Sequence, residues 1–82
     1  MEKAYISSSN IDAIAYHRGD LLVRFKNGGC YKYLGVKYDH FDGLRKAESV
    51  GKFLNQFIKP TYQFLKLDAD PFLGHKFLRG SI

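Results

Sequence analysis

At 82 residues the chain can bury one core of useful size but cannot hold two independent domains, and its 45% hydrophobic and 16% aromatic content excludes a disordered chain. Thirteen Lys and Arg against eight Asp and Glu make a small basic protein of formal net charge +5, which suits an anionic partner such as RNA or another polyanion but equally serves plain solubility. One cysteine, Cys30, forms no internal disulfide, and the opening residues lack a signal-peptide pattern. With no apolar run near the roughly 20 residues of a membrane span, this points to a cytoplasmic protein with no membrane attachment.

The first half of the chain alternates in period two, as half-buried strands do. Ile14 and Tyr16 alternate with Ala13, Ala15 and His17; Leu21, Val23 and Phe25 alternate with Leu22, Arg24 and Lys26. His17-Arg18-Gly19-Asp20 between them has turn composition, and a two- or four-residue loop sets Tyr16 against Leu21 and Ile14 against Val23. At Asn27-Gly28-Gly29, a three-residue loop with Gly29 left-handed opposes Phe25 with Tyr31, Val23 with Tyr33 and Arg24 with Lys32. One face of the meander is then Ile14, Tyr16, Leu21, Val23, Phe25, Tyr31 and Tyr33, and the other carries Arg24, Lys26 and Lys32.

After Gly35 the period lengthens. Tyr38, Phe41 and Leu44 predict a helix from Lys37 to Glu48, within which Gly43 costs roughly 1 kcal/mol against alanine. Ser49 is a good N-cap for a second helix, buried through Phe53, Leu54, Phe57 and Ile58 and stopped by Pro60. Tyr62, Phe64 and Leu67 form a short extended segment, either a strand or a docking arm. Asp70-Pro71, with Lys76, Arg79 and Gly80 later, reads as a short tail helix or a loosely docked tail. The class is α+β: a three-stranded antiparallel β-meander packed against two C-terminal helices, forming a single domain over residues 1–82.

Two stretches carry a resemblance. Ser8-Ser9-Asn10-Ile11 with Val23 to Val36, including the Tyr31-Lys32-Tyr33 centre, and then Ala47 to Ile58, with Ser49, Gly51 and Asn55 in a Ser-x-Gly-x-aromatic-x-Asn pattern, resemble the KTSC family. The resemblance runs over about residues 5–67 and leaves 68–82 as a tail without counterpart. The Arg18-Gly19 loop is shorter than is common in that family, and Lys37 stands where a proline is frequent. The family is named for a domain at the C-terminus of some lysyl-tRNA synthetases, so the resemblance implies a small binding domain with RNA as the suggested ligand.

No pattern of catalytic or metal-binding residues accompanies these motifs. Cys30 sits on a strand without an ordered histidine partner, and His17, His40 and His75 are dispersed, so no enzyme activity, metal or other cofactor is expected. Asp39, His40 and Asp42 gather at the first turn of a helix, where carboxylates favour the dipole. Arg18-Gly19-Asp20 is a turn composition rather than an adhesion motif.

The candidate nucleic-acid-binding residues are Arg24, Lys26, Lys32 and Lys52. Arg24 and Lys32 directly opposite would destabilise each other by roughly 0.2–1 kcal/mol, a repulsion that a phosphate backbone would relieve. Arg18, Lys37, Arg45, Lys46 and Lys59 could widen the patch. Tyr31 and Tyr33 are either stacking platforms or core, the latter favoured by their facing Val23 and Phe25. Asn27 and Gly29 read as turn residues, and Ser49, Gly51 and Asn55 as cap, close-packing residue and buried hydrogen-bonding side chain, although Gly51 in a first helical turn could also expose N–H groups to an anion.

The rival class is a protein-interaction module, a partner or second copy docking on the mixed face of Ile11, Leu22, Cys30 and Leu34 or on Phe72, Leu73, Phe77 and Leu78 of the tail. In the simplest alternative, the tail covers the sheet and completes a three-layer core.

Overall fold

A computed structural model describes residues 2–5, 10–69 and 71–72. Five strands form one antiparallel sheet in sequence order: β1 (Glu2–Tyr5), β2 (Ile11–His17), β3 (Asp20–Phe25), β4 (Cys30–Tyr33) and β5 (Phe64–Leu67). Two helical segments separate β4 from β5. They are α1 (Tyr38–Lys46) and α2 (Val50–Phe53), the latter continuing directly into a π-helical turn over Leu54–Ile58. The α+β class holds, and the sheet exceeds the expected three strands at both edges. The extended segment after Pro60 is β5, which returns beside β4 with Tyr33 opposite Phe64 and Cys30 opposite Leu67.

The first hairpin has the expected register, Tyr16 opposite Leu21 and Ile14 opposite Val23. Its loop is the two-residue option, with Arg18 and Gly19 both at positive φ (52° and 82°), the conformation whose twist suits a tight hairpin.

The second hairpin corrects the expected register. The N–H of Gly28 donates to the Phe25 carbonyl at 2.9 Å, and the N–H of Phe25 donates to the Gly29 carbonyl at 2.8 Å. The loop is therefore Lys26-Asn27-Gly28, one residue earlier than expected, and Gly28 rather than Gly29 takes the left-handed position (φ 95°). Asn27 holds this geometry by accepting the Gly29 N–H on Oδ1 at 2.8 Å. Pairing moves by two residues: Val23 opposes Tyr31, Leu21 opposes Tyr33, and Arg24 opposes Cys30 rather than Lys32. An even shift preserves parity, so the residues within β3 and β4 keep their expected faces, whereas Lys26, expected beside Arg24 and Lys32, falls in the loop beyond the end of β3.

Ile11 also departs from its expected face. The pairing slips between Ile11 and Ala13, placing Asp12 in a β-bulge, and the extra residue turns Ile11 onto the helix side. There it joins Ile14, Leu21, Val23, Tyr33, Val36, Phe41, Leu44, Val50, Leu54 and Ile58 in the main core.

Gly43 is explained by packing. A Cβ placed there would lie 2.8 Å from the Phe53 ring, so the glycine lets α1 and α2 approach closely. Ser49 caps α2 as expected, its Oγ accepting the Lys52 N–H at 3.3 Å. Of the apolar residues assigned to this segment, Leu54 and Ile58 are buried, Phe53 is half-buried and Phe57 is exposed against Phe53.

The opposite face has a smaller core. Ala13, Ala15 and Leu22 leave a shallow bed in which Phe72, 2% exposed, lies with Leu67 beside it. One tail residue, Phe72, thus packs on this face. The rest of the tail expectation, including Asp70, Leu73, Lys76, Phe77, Leu78, Arg79 and Gly80, lies outside the described residues, as do Ser8 and Ser9.

Candidate functional site

The charged residues of the Phe72 face are already engaged. Arg24 Nε lies 3.2 Å from Asp12 Oδ2 and its guanidinium sits 5.4 Å from the Phe72 ring centroid. Lys32 Nζ lies 3.7 Å from Asp20 Oδ2, and Asp20 also accepts the Gly35 N–H at 2.9 Å. With Arg24 and Lys32 diagonal rather than opposite, and each beside an aspartate, the repulsion that made this face attractive to an anion is absent. Leu22 and Cys30, assigned to a mixed docking face, are buried.

The helix side is closed over most of its area and open at one end. Where the sheet extends past the helices, Phe25, Tyr31 and Phe64 form a chain of rings across β3, β4 and β5. Their centroids are 5.4 Å and 5.5 Å apart, with interplanar angles of 84° and 61°. Phe64 is 55% exposed, and Phe25 and Tyr31 are half-buried. Tyr33, 5.8 Å from Phe64, is core, and burial followed by the neighbouring Tyr31 raises its phenol pKa above the ordinary value. Tyr31 packs against the edge of the same core and is only partly covered.

Two adjoining depressions follow this edge. One, of about 380 Å³, is lined by Phe25, Asn27, Tyr31, Tyr33, Lys59 and Phe64. The other, of about 290 Å³, runs between the β3–β4 loop and the π-helical turn, where Lys26, Asn27, Asn55 and Lys59 supply polar groups over an Ile11 and Leu54 floor. Both volumes fall at the low end of the roughly 300–1,000 Å³ of small-molecule sites. Among the described residues, no carboxylate lines either one.

The π-helical turn positions the basic wall. Closing it, the Lys59 N–H reaches back five residues to the Leu54 carbonyl at 2.9 Å. Lys59 Nζ comes to 5.7 Å from the Phe25 ring centroid, within cation–π range. Lys66 stands opposite Tyr31 in the β4–β5 register.

Of the residues singled out from sequence, Lys26, Asn27, Tyr31, Tyr33, Gly51 and Asn55 converge on this groove, with Asn55 exposed rather than buried and Gly51 facing open space rather than a close neighbour. Arg24 and Lys32 lie on the opposite face, Lys52 is exposed on α2 outside both linings, Gly29 completes the loop and Ser49 caps a helix. Phe25 was assigned to the apolar face by period two, Phe64 to an extended segment of open role and Lys66 to no register, so sequence reasoning did not single them out for this groove. The alternation of Phe64 and Lys66 in β5 was the available signal.

Elsewhere the first-helix cluster has structural partners. His40 Nδ1 and the Tyr62 hydroxyl are 2.5 Å apart, tying α1 to the segment before β5. Asp42 is clamped by Lys46 and Arg45 at 2.9 Å and 2.6 Å, and the hydrogen bond from Lys46, helped by that from Arg45 and by both charges, holds its carboxyl below the ordinary value against opposing desolvation.

Known proteins place the chain. A family model for the KTSC domain matches residues 7–62. A protein of Tsukamurella paurometabola is 38% identical over 64 residues, covering 76% of this chain and 96% of its own; another from Stutzerimonas stutzeri is 30% identical over 71 residues, covering 83% and 100%. The crystal structure of a KTSC domain protein from Yersinia pestis superposes with a TM-score of 0.75 at 31% identity, covering 80% of this chain and 96% of that one. The chain belongs to the KTSC domain family.

Proposed function

We propose that this is a non-enzymatic cytoplasmic domain that binds single-stranded nucleic acid, RNA foremost, along the groove formed by β3, β4, β5 and the π-helical turn. The observation that carries the reading is the open chain of Phe25, Tyr31 and Phe64 beside Lys59. Every base offers a π-face, so exposed rings hold unpaired bases with little regard to sequence, while nearby lysines hold the backbone. A formal charge of +5 and a groove without a lining carboxylate among the described residues favour the same ligand. Anisotropy titration of labelled single-stranded RNA, single-stranded DNA and tRNA at two salt concentrations tests this. Micromolar binding that weakens steeply with salt is expected, and absence of binding at low salt refutes it.

A second reading rests on β5. It is the last strand in the sheet among the described residues, and Phe64 and Leu65 are 55% and 52% exposed. An open edge with apolar side chains suits pairing with a protein partner or a second copy. Sedimentation equilibrium of Leu65→Lys against the parent protein distinguishes self-association, since a monomer in both cases removes the second copy.

A further inference from the structure

The two depressions share a wall and differ in what lies beyond it. Phe25, Asn27 and Lys59 line both; beyond that wall one contains the rings of Tyr31, Tyr33 and Phe64, and the other sets Asn10, Lys26 and Asn55 around Ile11, Gly51 and Leu54. We propose that the groove takes a single nucleotide as its unit ligand, with the base against Phe25, Tyr31 and Phe64 and the phosphate between Asn27, Asn55 and Lys59. This inference rests on the nucleic-acid reading given above.

The ring geometry limits the aromatic side to one base. Neighbouring rings meet at 84° and 61°, so a planar base lying on one ring meets the next by its edge, whereas a run of stacked bases needs parallel platforms. The polar side offers donors. Asn27 Oδ1 is occupied by the Gly29 N–H, which orients the amide and leaves its NH₂ as the group available to a ligand. Asn55 and Lys59 are four residues apart on the helical segment that forms the other bank. Amide donors and an ammonium around an uncharged Ile11 and Leu54 floor suit an oxyanion, because hydrogen bonds to a charged acceptor are about twice as strong as neutral ones. Lys59, close to the Phe25 ring and common to both linings, sits where base and phosphate join.

The test uses the full chain and three probes: adenosine 5′-monophosphate, adenosine and inorganic phosphate. NMR follows the side-chain amides of Asn27 and Asn55 and the ring resonances of Tyr31 and Phe64. The monophosphate is expected to move both sets, adenosine the rings alone with roughly tenfold weaker binding, and phosphate the amides alone. Asn55→Ala, an exposed substitution, should bring the monophosphate toward the affinity of adenosine. Equal affinity for monophosphate and adenosine with unmoved amides overturns the division. A single-stranded oligonucleotide titrated in parallel separates the failures: if it binds and moves Tyr31 and Phe64, the strand reading stands without the phosphate subsite. If neither it nor the monophosphate binds, both fall.

Discussion

The two faces of the sheet were built from the same alternating strands but reached opposite electrostatic ends. On the Phe72 face, Arg24 and Lys32 have aspartates within ion-pair distance, and the small side chains of Ala13 and Ala15 make room for Phe72. On the helix face the apolar side chains are buried until the sheet runs past the π-helical turn, where rings and lysines remain open together. A basic residue in the sequence is thus a poor guide to a binding surface. What matters is whether the fold also delivers a carboxylate to it.

Perturbing the two faces separately sharpens this contrast. Phe72→Ala should have the largest effect, costing roughly 3–5 kcal/mol in urea denaturation by emptying the bed over Ala13, Ala15 and Leu22. Oligonucleotide affinity of the folded fraction should not change, and parallel losses of stability and affinity would show that the faces are not separable. Lys59→Gln and Lys32→Gln remove the same charge from opposite faces. The first is expected to weaken single-strand binding roughly threefold to tenfold and to reduce the salt slope by about 0.7, the contribution of one phosphate contact to a single strand. The second should do neither.

Gly43→Ala tests the closeness of α1 and α2. Helix propensity alone predicts a gain of about 1 kcal/mol, but displacing the Phe53 ring should turn this into a net loss of about that size in thermal or chemical unfolding. The smallest effect concerns Asp42. Its folded-state pKa lies below the unfolded value near 3.8, so its contribution to stability is present above that pH and fades as the carboxylate protonates in more acid solution. Asp42→Asn should flatten the acid limb of the stability profile without altering groove affinity.

Much of the architecture was legible in the residues. Period two gave the faces of β2, β3 and β4, Ser49 and Pro60 bracketed the second helical segment, and Tyr16 against Leu21 followed from the shortness of the Arg18-Gly19 loop. The Tyr-x-Tyr and Ser/Gly/Asn motifs identified the family and supplied four residues of the groove, Tyr31, Tyr33, Gly51 and Asn55. The loop position in the second hairpin was not legible, because Asn27-Gly28-Gly29 offers two adjacent glycines and parity cannot distinguish registers two residues apart. Nor was the bulge at Asp12, which reversed the side of Ile11.

By itself the sequence determined the class, the order of elements and which side chains share a strand face, since these depend on local periodicity and backbone chemistry. Tertiary structure alone decided which charges are paired and which rings stay open. Those outcomes depend on where the bulge, the left-handed glycine and the π-helical turn bring distant residues, and a local pattern carries no information about partners on other elements.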